Sequence, residues 1–260
     1  MANTRTNKKT KKAQKSATTL KVRPPTPWHH TGSAALKFLA QQDPALGRLI
    51  KAAGKCRLGD SSSDVDADDA HEQLRPYEFL FESILFQQLN GKAATTILNR
   101  LKALFGGKRP GAKEFLELGN RDETQIRGAG VSGNKFKALM DLATKESLGL
   151  LPDTGSITQM SDDEVIEALT QVRGIGPWTV HMYLIFELGR PDVFPSTDFG
   201  VQNGYRIHYK KRAHPKPKAL ENISKKWAPY RSTAAWYLWR AVDLKKDLIK
   251  KEKSAKTKKK

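Results

Sequence analysis

One cysteine, Cys56, is all the thiol chemistry available to this 260-residue chain. It excludes an internal disulfide framework and every multi-cysteine metal or iron-sulfur site, and it fits a reducing compartment. Long apolar runs are missing as well. No stretch approaches the roughly 20 residues that span a bilayer, and the N-terminus carries Lys and Thr where a signal peptide needs an apolar segment. The expectation is a soluble, intracellular protein. Sustained alternation of β-branched residues is absent too, which favours an all-α fold over α/β. The six histidines show no metal-ligand spacing with Asp or Glu, and the adjacent His29 and His30 read as surface. No internal repeat is present.

Acidic residues are outnumbered: 27 Asp and Glu against 46 Lys and Arg leave a net charge of +19, with only 38% apolar content. The low apolar share implies that part of the chain does not fold. The charge is unevenly placed. Residues 1 to 23 hold eight basic residues and no acid, residues 245 to 260 hold nine and two acids, and the 221 residues between carry only +4. A polyanionic partner is therefore implied mainly by the tails. Charge alone leaves nucleic acid, ribosome and an anionic membrane surface open.

Residues 1 to 26 lack the apolar periodicity that offsets the entropy of ordering, and read as a disordered basic arm. Residues 245 to 260 read as a disordered Lys-rich tail, which leaves one domain over 27 to 244. Within it, Leu36, Phe38 and Leu39, then Leu46, Leu49 and Ile50, recur at helical spacing, with Asp43 and Pro44 opening the second helix. Residues 59 to 72 form an acidic, solvent-exposed loop. Residues 77 to 105 predict two helices that meet at QQLNG, where Asn90 and Gly91 interrupt the pattern. Further helices are predicted over 134 to 147 and 161 to 172, the second opened by a capping box from Ser161 to Glu164.

The most informative stretch is VRGIGPWTVHMYLIFELGRPDVFPSTDFGVQNG, residues 172 to 204. Gly174 and Gly176 flank Ile175, so the backbone turns sharply and can approach another chain closely while Ile175 anchors the turn. Pro177 suits the first turn of the next helix, whose unpaired N–H groups form an anion site that a DNA phosphate fits. As a short string this is equally an ordinary helical hairpin. Asp198 follows 22 residues after Gly176, at the start of another helical stretch. It reads as a helix N-cap, and also as a carboxylate that stabilises an oxocarbenium-like sugar or assists water attack. The two roles are compatible.

VRGIGPWTVHMYLIF followed by VFPSTDFGVQNG resembles the helix-hairpin-helix DNA glycosylases. SILFQQLNGKAA (83 to 94) and WAPYRSTAAWYLWR (227 to 240) resemble further blocks of one branch, the 3-methyladenine DNA glycosylase II family, in the right order across residues 28 to 243. The resemblance implies two helical subdomains with the active site in the cleft between them, and a hairpin over 162 to 188. It implies that Gly174, Ile175, Gly176 and Thr179 hold the DNA backbone, with Arg231 and Ser232 as further backbone contacts or caps of the last helix. Asp198 is then catalytic. Leu89 or Asn90 is the wedge that fills the gap left by an extruded base, with Gln87 and Gln88 nearby.

Aromatic faces suit such a site, because they stack on any base and bind a cationic purine better still. Trp239 matches the base-stacking residue of that family, with Trp178 and Tyr183 completing the pocket; Trp236 and Trp227 read as core. Lys210, Lys211, Arg212, Lys216 and Lys218 suggest a loop beside phosphate, or simply a solvated face.

Departures from sister branches narrow the chemistry. Where strand-cutting relatives carry a Lys nucleophile, this chain has Trp178, and an indole cannot form a Schiff base. A four-cysteine cluster is impossible, and helical signals begin near residue 33, leaving no room for a β-rich N-terminal segment. The expectation is a monofunctional glycosylase for alkylated purines in double-stranded DNA, monomeric and without a cofactor beyond a monovalent cation at the hairpin. Its compartment would be the nucleus in a eukaryote and the cytoplasm in a prokaryote. A non-catalytic hairpin protein that binds DNA, and a glycosylase for oxidised or mismatched bases, remain alternatives.

Overall fold

A computed structural model describes residues 29–59 and 74–257. The expectations for the arm over 1 to 26 and for the acidic loop beyond Gly59 lie outside the described residues. Among the described residues the chain is all helical, without a strand. A short 3-10 turn at His29–Thr31 precedes α1 (Ser33–Gln42) and α2 (Pro44–Ala53). From Pro76 onward come α3 (Pro76–Phe86), α4 (Gly91–Ala103), α5 (Ala112–Arg121), α6 (Glu123–Gly128) and α7 (Gly133–Ser147). Then follow α8 (Thr154–Ile157), α9 (Asp162–Thr170), α10 (Pro177–Phe186), α11 (Phe199–His208), α12 (Pro217–Ser224), a 3-10 turn at Lys225–Trp227, and α13 (Arg231–Thr257).

Helix starts follow local chemistry. Asp43 Oδ1 accepts the N–H groups of Ala45 and Leu46, each at 3.1 Å, ahead of Pro44 in the first turn of α2. Asn90 accepts from Ala93 N–H at 3.0 Å to open α4. Ser161 and Glu164 exchange a capping box at α9.

The helices fall into two packed groups. α3 to α7 pack on one another, while α1, α2, α11 and α13 form the other group, joined by the 3-10 turn that follows α12. The hairpin α9–α10 sits between, α10 touching α3. One element spans the seam of the second group tightly. A Cβ on Gly204 of α11 would lie 1.9 Å from the Leu238 carbonyl oxygen of α13, so only glycine permits this approach.

Two expectations are corrected here. His30 is buried and not on the surface: its Nδ1 lies 2.9 Å from Thr233 Oγ1, on α13. The tail is not disordered from residue 245, because α13 continues to Thr257. Lys, Leu, Glu and Ala hold helix well once a packed segment has supplied the nucleus, and lysines favour a helix C-terminus. Compositional disorder arguments miss this.

Candidate active site

Three elements converge on Asp198. It caps α11, Oδ1 accepting Val201 N–H at 2.7 Å. The same oxygen accepts Trp239 Nε1–H from α13 at 2.7 Å, and Oδ2 accepts Trp178 Nε1–H from the first turn of α10 at 2.9 Å. Three N–H donors, one of them at a helix N-terminus, hold a half-buried carboxylate in one orientation. Gly200 makes room for this, since a Cβ there would meet Trp239 Cδ1 at 2.8 Å and Asp198 Oδ1 at 3.0 Å.

Around the carboxylate stand exposed apolar side chains. Trp178 is 46% exposed, and Trp239 stacks on Phe186 with centroids 5.7 Å apart and planes 25° apart. Phe199, directly after Asp198, is 67% exposed. Exposed large apolar groups gathered at one site mark a place where a ligand sits. Phe186 and Phe199 do not stand out in the sequence. Their only signal there is position, one ending α10 and one opening α11, where an apolar residue has no need to be.

The hairpin turn is built as the glycines require. Gly174 has φ +80°, in the left-handed region, and Gly176 is the N-cap of α10. Ile175 is buried and anchors the turn, its N–H bonding Val172 O at 3.1 Å. Asp141 of α7 accepts Arg173 N–H at 2.8 Å. Burial raises the Asp141 carboxyl, but that hydrogen bond and Lys145 outweigh it and hold its pKa below the ordinary value. Gln87 Nε2–H donates to Gly174 O at 3.0 Å, fastening the α3–α4 junction to the hairpin. Next in that junction Gln88 takes φ +57°, which throws Leu89 outward to 40% exposure. Asn90 is committed to capping α4.

Several expected site residues are placed elsewhere. Tyr183 is fully buried against Phe79, ring centroids 5.1 Å apart, so it is core and offers no face to a base. Thr179 is buried as well, not on the surface of the turn. Arg231 is held by Asp192 at 2.8 and 3.0 Å and by Glu221 at 3.3 Å, pairs that raise its pKa, chiefly through Asp192. Its guanidinium is spent on carboxylates, not on phosphate. Ser232 is buried, donating to Arg190 O at 2.6 Å and accepting Val193 N–H at 3.0 Å, which staples the 190–193 loop to α13. Trp227 is core, its Nε1–H on Asp43 Oδ2 at 3.1 Å. Trp236 is half-buried against Tyr237 and Arg240.

Residues 81–229 match the HhH-GPD superfamily of base excision DNA repair proteins. The chain belongs to that superfamily. It is 37% identical over 198 residues to DNA-3-methyladenine glycosylase 1 of Schizosaccharomyces pombe, covering 76% of this chain and 82% of the relative. The structure of the S. pombe 3-methyladenine DNA glycosylase in complex with abasic DNA superposes with a TM-score of 0.67 at 35% identity, over 80% of this chain and 96% of that one. DNA-3-methyladenine glycosidase from Bacillus halodurans gives 0.67 at 32%, over 81% and 90%. The two helical groups and the hairpin between them are thus the superfamily fold, with Asp198 at their junction. No helix among the described residues is long and apolar enough to cross a membrane, and no group of His, Cys, Asp and Glu among them fits a metal ion.

Proposed function

We propose that this protein is a monofunctional DNA glycosylase that hydrolyses the N-glycosidic bond of alkylated purines in duplex DNA and leaves an abasic site. The observation that carries the reading is the carboxylate of Asp198, held by two indole N–H donors and a helix N-terminus beside an aromatic surface. Alkylation at N3 or N7 makes the purine cationic, so it departs neutral and needs little acid help. The bond from C1′ to the base nitrogen breaks, positive charge develops on the sugar, and Asp198 stabilises that charge and orients the attacking water. Water supplies the new C1′ hydroxyl.

Trp178 and Trp239 offer electron-rich faces to a cationic base, with Phe186 extending the surface behind Trp239. Leu89 is the wedge that enters the vacated stack, since the Asn90 side chain is occupied at its cap. Gly174, Ile175 and Gly176 carry the backbone grip. A monovalent cation at the hairpin would be held by backbone carbonyls and would draw in phosphate; the Gly174 carbonyl there already accepts from Gln87. We read the protein as a monomer and as intracellular, nuclear in a eukaryote, where KKTKK and KTKKK suit nuclear import, and cytoplasmic in a prokaryote.

Release of free 3-methyladenine or 7-methylguanine from methylated duplex DNA tests the assignment. Excision of oxidised or mismatched bases instead, or DNA binding with no base release, overturns it.

A further inference from the structure

The last helix outruns the core that supports it. Leu244 still packs on the core, while residues 245 to 251 are exposed and the helix runs on to Thr257. At 1.5 Å per residue the projecting part is roughly 20 Å long.

Helical phase decides which side chains share a face. Counted from Trp239, the row at four, seven and eleven residues is Asp243, Lys246 and Lys250. Trp239 fixes where this row points, because its Nε1–H reaches Asp198. The row therefore leaves the active site on the side of α13 that faces the carboxylate. Lys246 and Lys250 stand about 10 and 16 Å beyond Trp239 along the axis. Asp243 is engaged by Arg240 at 2.8 Å, while Lys246, at 3.8 Å from that carboxylate and 67% exposed, keeps its ammonium open to solvent. By the same count Lys245 and Lys251 lie about 120° to either side of the row.

We propose that Lys246 and Lys250 form a phosphate-tracking surface for the duplex flanking the lesion. At 3.4 Å per base pair, with α13 running along the duplex, they reach the backbone about three to five base pairs from the nucleotide held at Asp198, and their own spacing of about 6 Å is on the order of the distance between neighbouring phosphates of one strand. The inference rests on the glycosylase reading and deepens it: α13 is a wall of the active site at one end and an arm along the DNA at the other. A flexible basic tether would be indifferent to which lysines remain. A helix in register with the site is not.

The test compares equal charge losses at different phases in the full chain. Binding to a duplex carrying an abasic site is followed by anisotropy as salt is varied. Lys246→Gln with Lys250→Gln should shrink the slope of log K against log salt by roughly 2, and Lys245→Gln with Lys251→Gln by less than half as much. Asp247→Pro removes an acid yet breaks the helix between the two lysines; it should still shrink the slope, by about 1. Melting midpoints confirm that each variant is folded. Equal effects from the two pairs, no effect from either, or tighter binding by Asp247→Pro overturns the proposal. Excision of 3-methyladenine by the unaltered chain is measured alongside, so that a failed functional assignment is distinguishable from a failed phosphate surface.

Discussion

The indole of Trp239 donates to Asp198 Oδ1 at 2.7 Å across the seam between α13 and α11, on the same oxygen that caps α11 through Val201 N–H. One oxygen therefore both caps α11 and ties it to α13. Asp198→Asn keeps that acceptor, but its amide then faces the Trp178 N–H that Oδ2 accepts at 2.9 Å in the native protein, two donors opposed. Excision should fall on the order of a hundredfold or more, with abasic-DNA affinity kept or raised as a negative charge is lost. Near-native excision by this variant would reduce Asp198 to a cap.

Trp239→Phe retains a ring to stack on Phe186 while deleting the donor to Asp198. Losing a hydrogen bond to a charged group is worth about 1.5 to 3 kcal/mol, so single-turnover excision should slow roughly 10- to 100-fold. Base affinity should change less than the rate. A loss seen in binding alone would mean that the ring face matters and the N–H does not.

The sequence carried the hairpin and the carboxylate because both are local. Gly174 must take positive φ, Pro177 must open a helix, and Asp198 must cap one, and each requirement is written within a few residues. The two indole donors were not legible as donors: Trp178 is 20 residues from Asp198 and Trp239 is 41, and only the packing of three helices joins them. Arg231 and Ser232 misled for the same reason, since a sequence displays a charge or hydroxyl but not the Asp192 or Arg190 carbonyl about 40 residues away that consumes it. Tyr183 reads as a pocket aromatic, and its burial depends on Phe79 of another helix. The length of α13 was hidden by composition, which weighs lysines as a disorder signal regardless of the helix that precedes them.

By the resemblance of the hairpin, Trp178 stands where strand-cutting branches carry an amine nucleophile, and an indole cannot form a Schiff base. The abasic product should remain an intact strand until alkali or an endonuclease is added, and borohydride should trap no protein-DNA adduct. A covalent adduct in good yield would mean that a lysine outside this position forms a Schiff base, and the monofunctional assignment would go.

Gly204→Ala places a methyl where the Leu238 carbonyl oxygen already sits, 1.9 Å away. Backbone cannot yield as a side-chain tip does, so α11 and α13 must part. The cost should be about 3 kcal/mol, a fall of roughly 6 to 12 °C in Tm. Because those helices carry Asp198 and Trp239, excision by the folded fraction should fall too. Gly200→Ala, whose Cβ presses on Trp239 Cδ1 at 2.8 Å, should depress excision with a smaller change in Tm.

Asp43 joins α2 to the far end of the helix that Asp198 begins. Its buried carboxylate accepts from Tyr209 OH at 2.5 Å, Trp227 Nε1–H at 3.1 Å, Lys226 Nζ at 2.9 Å and two backbone N–H groups. Burial by itself raises its pKa; the hydrogen bonds from Lys226, Tyr209 and Leu46 outweigh that and hold it below 3.8. With the folded value depressed, its contribution is fully present above the unfolded value and is lost as pH falls through the folded one. Asp43→Asn keeps a good cap for α2 but leaves Lys226 without its counter-charge, and should lower stability by about 3 kcal/mol at neutral pH. In urea unfolding the gap between native and variant should hold steady from pH 7 to about 5 and narrow only below about 4, where the unfolded carboxyl begins to protonate. A gap that closes well above pH 5 would show that burial dominates and that Asp43 is protonated in the folded protein, and with it the anchoring of α11 through Tyr209 would have to be recast.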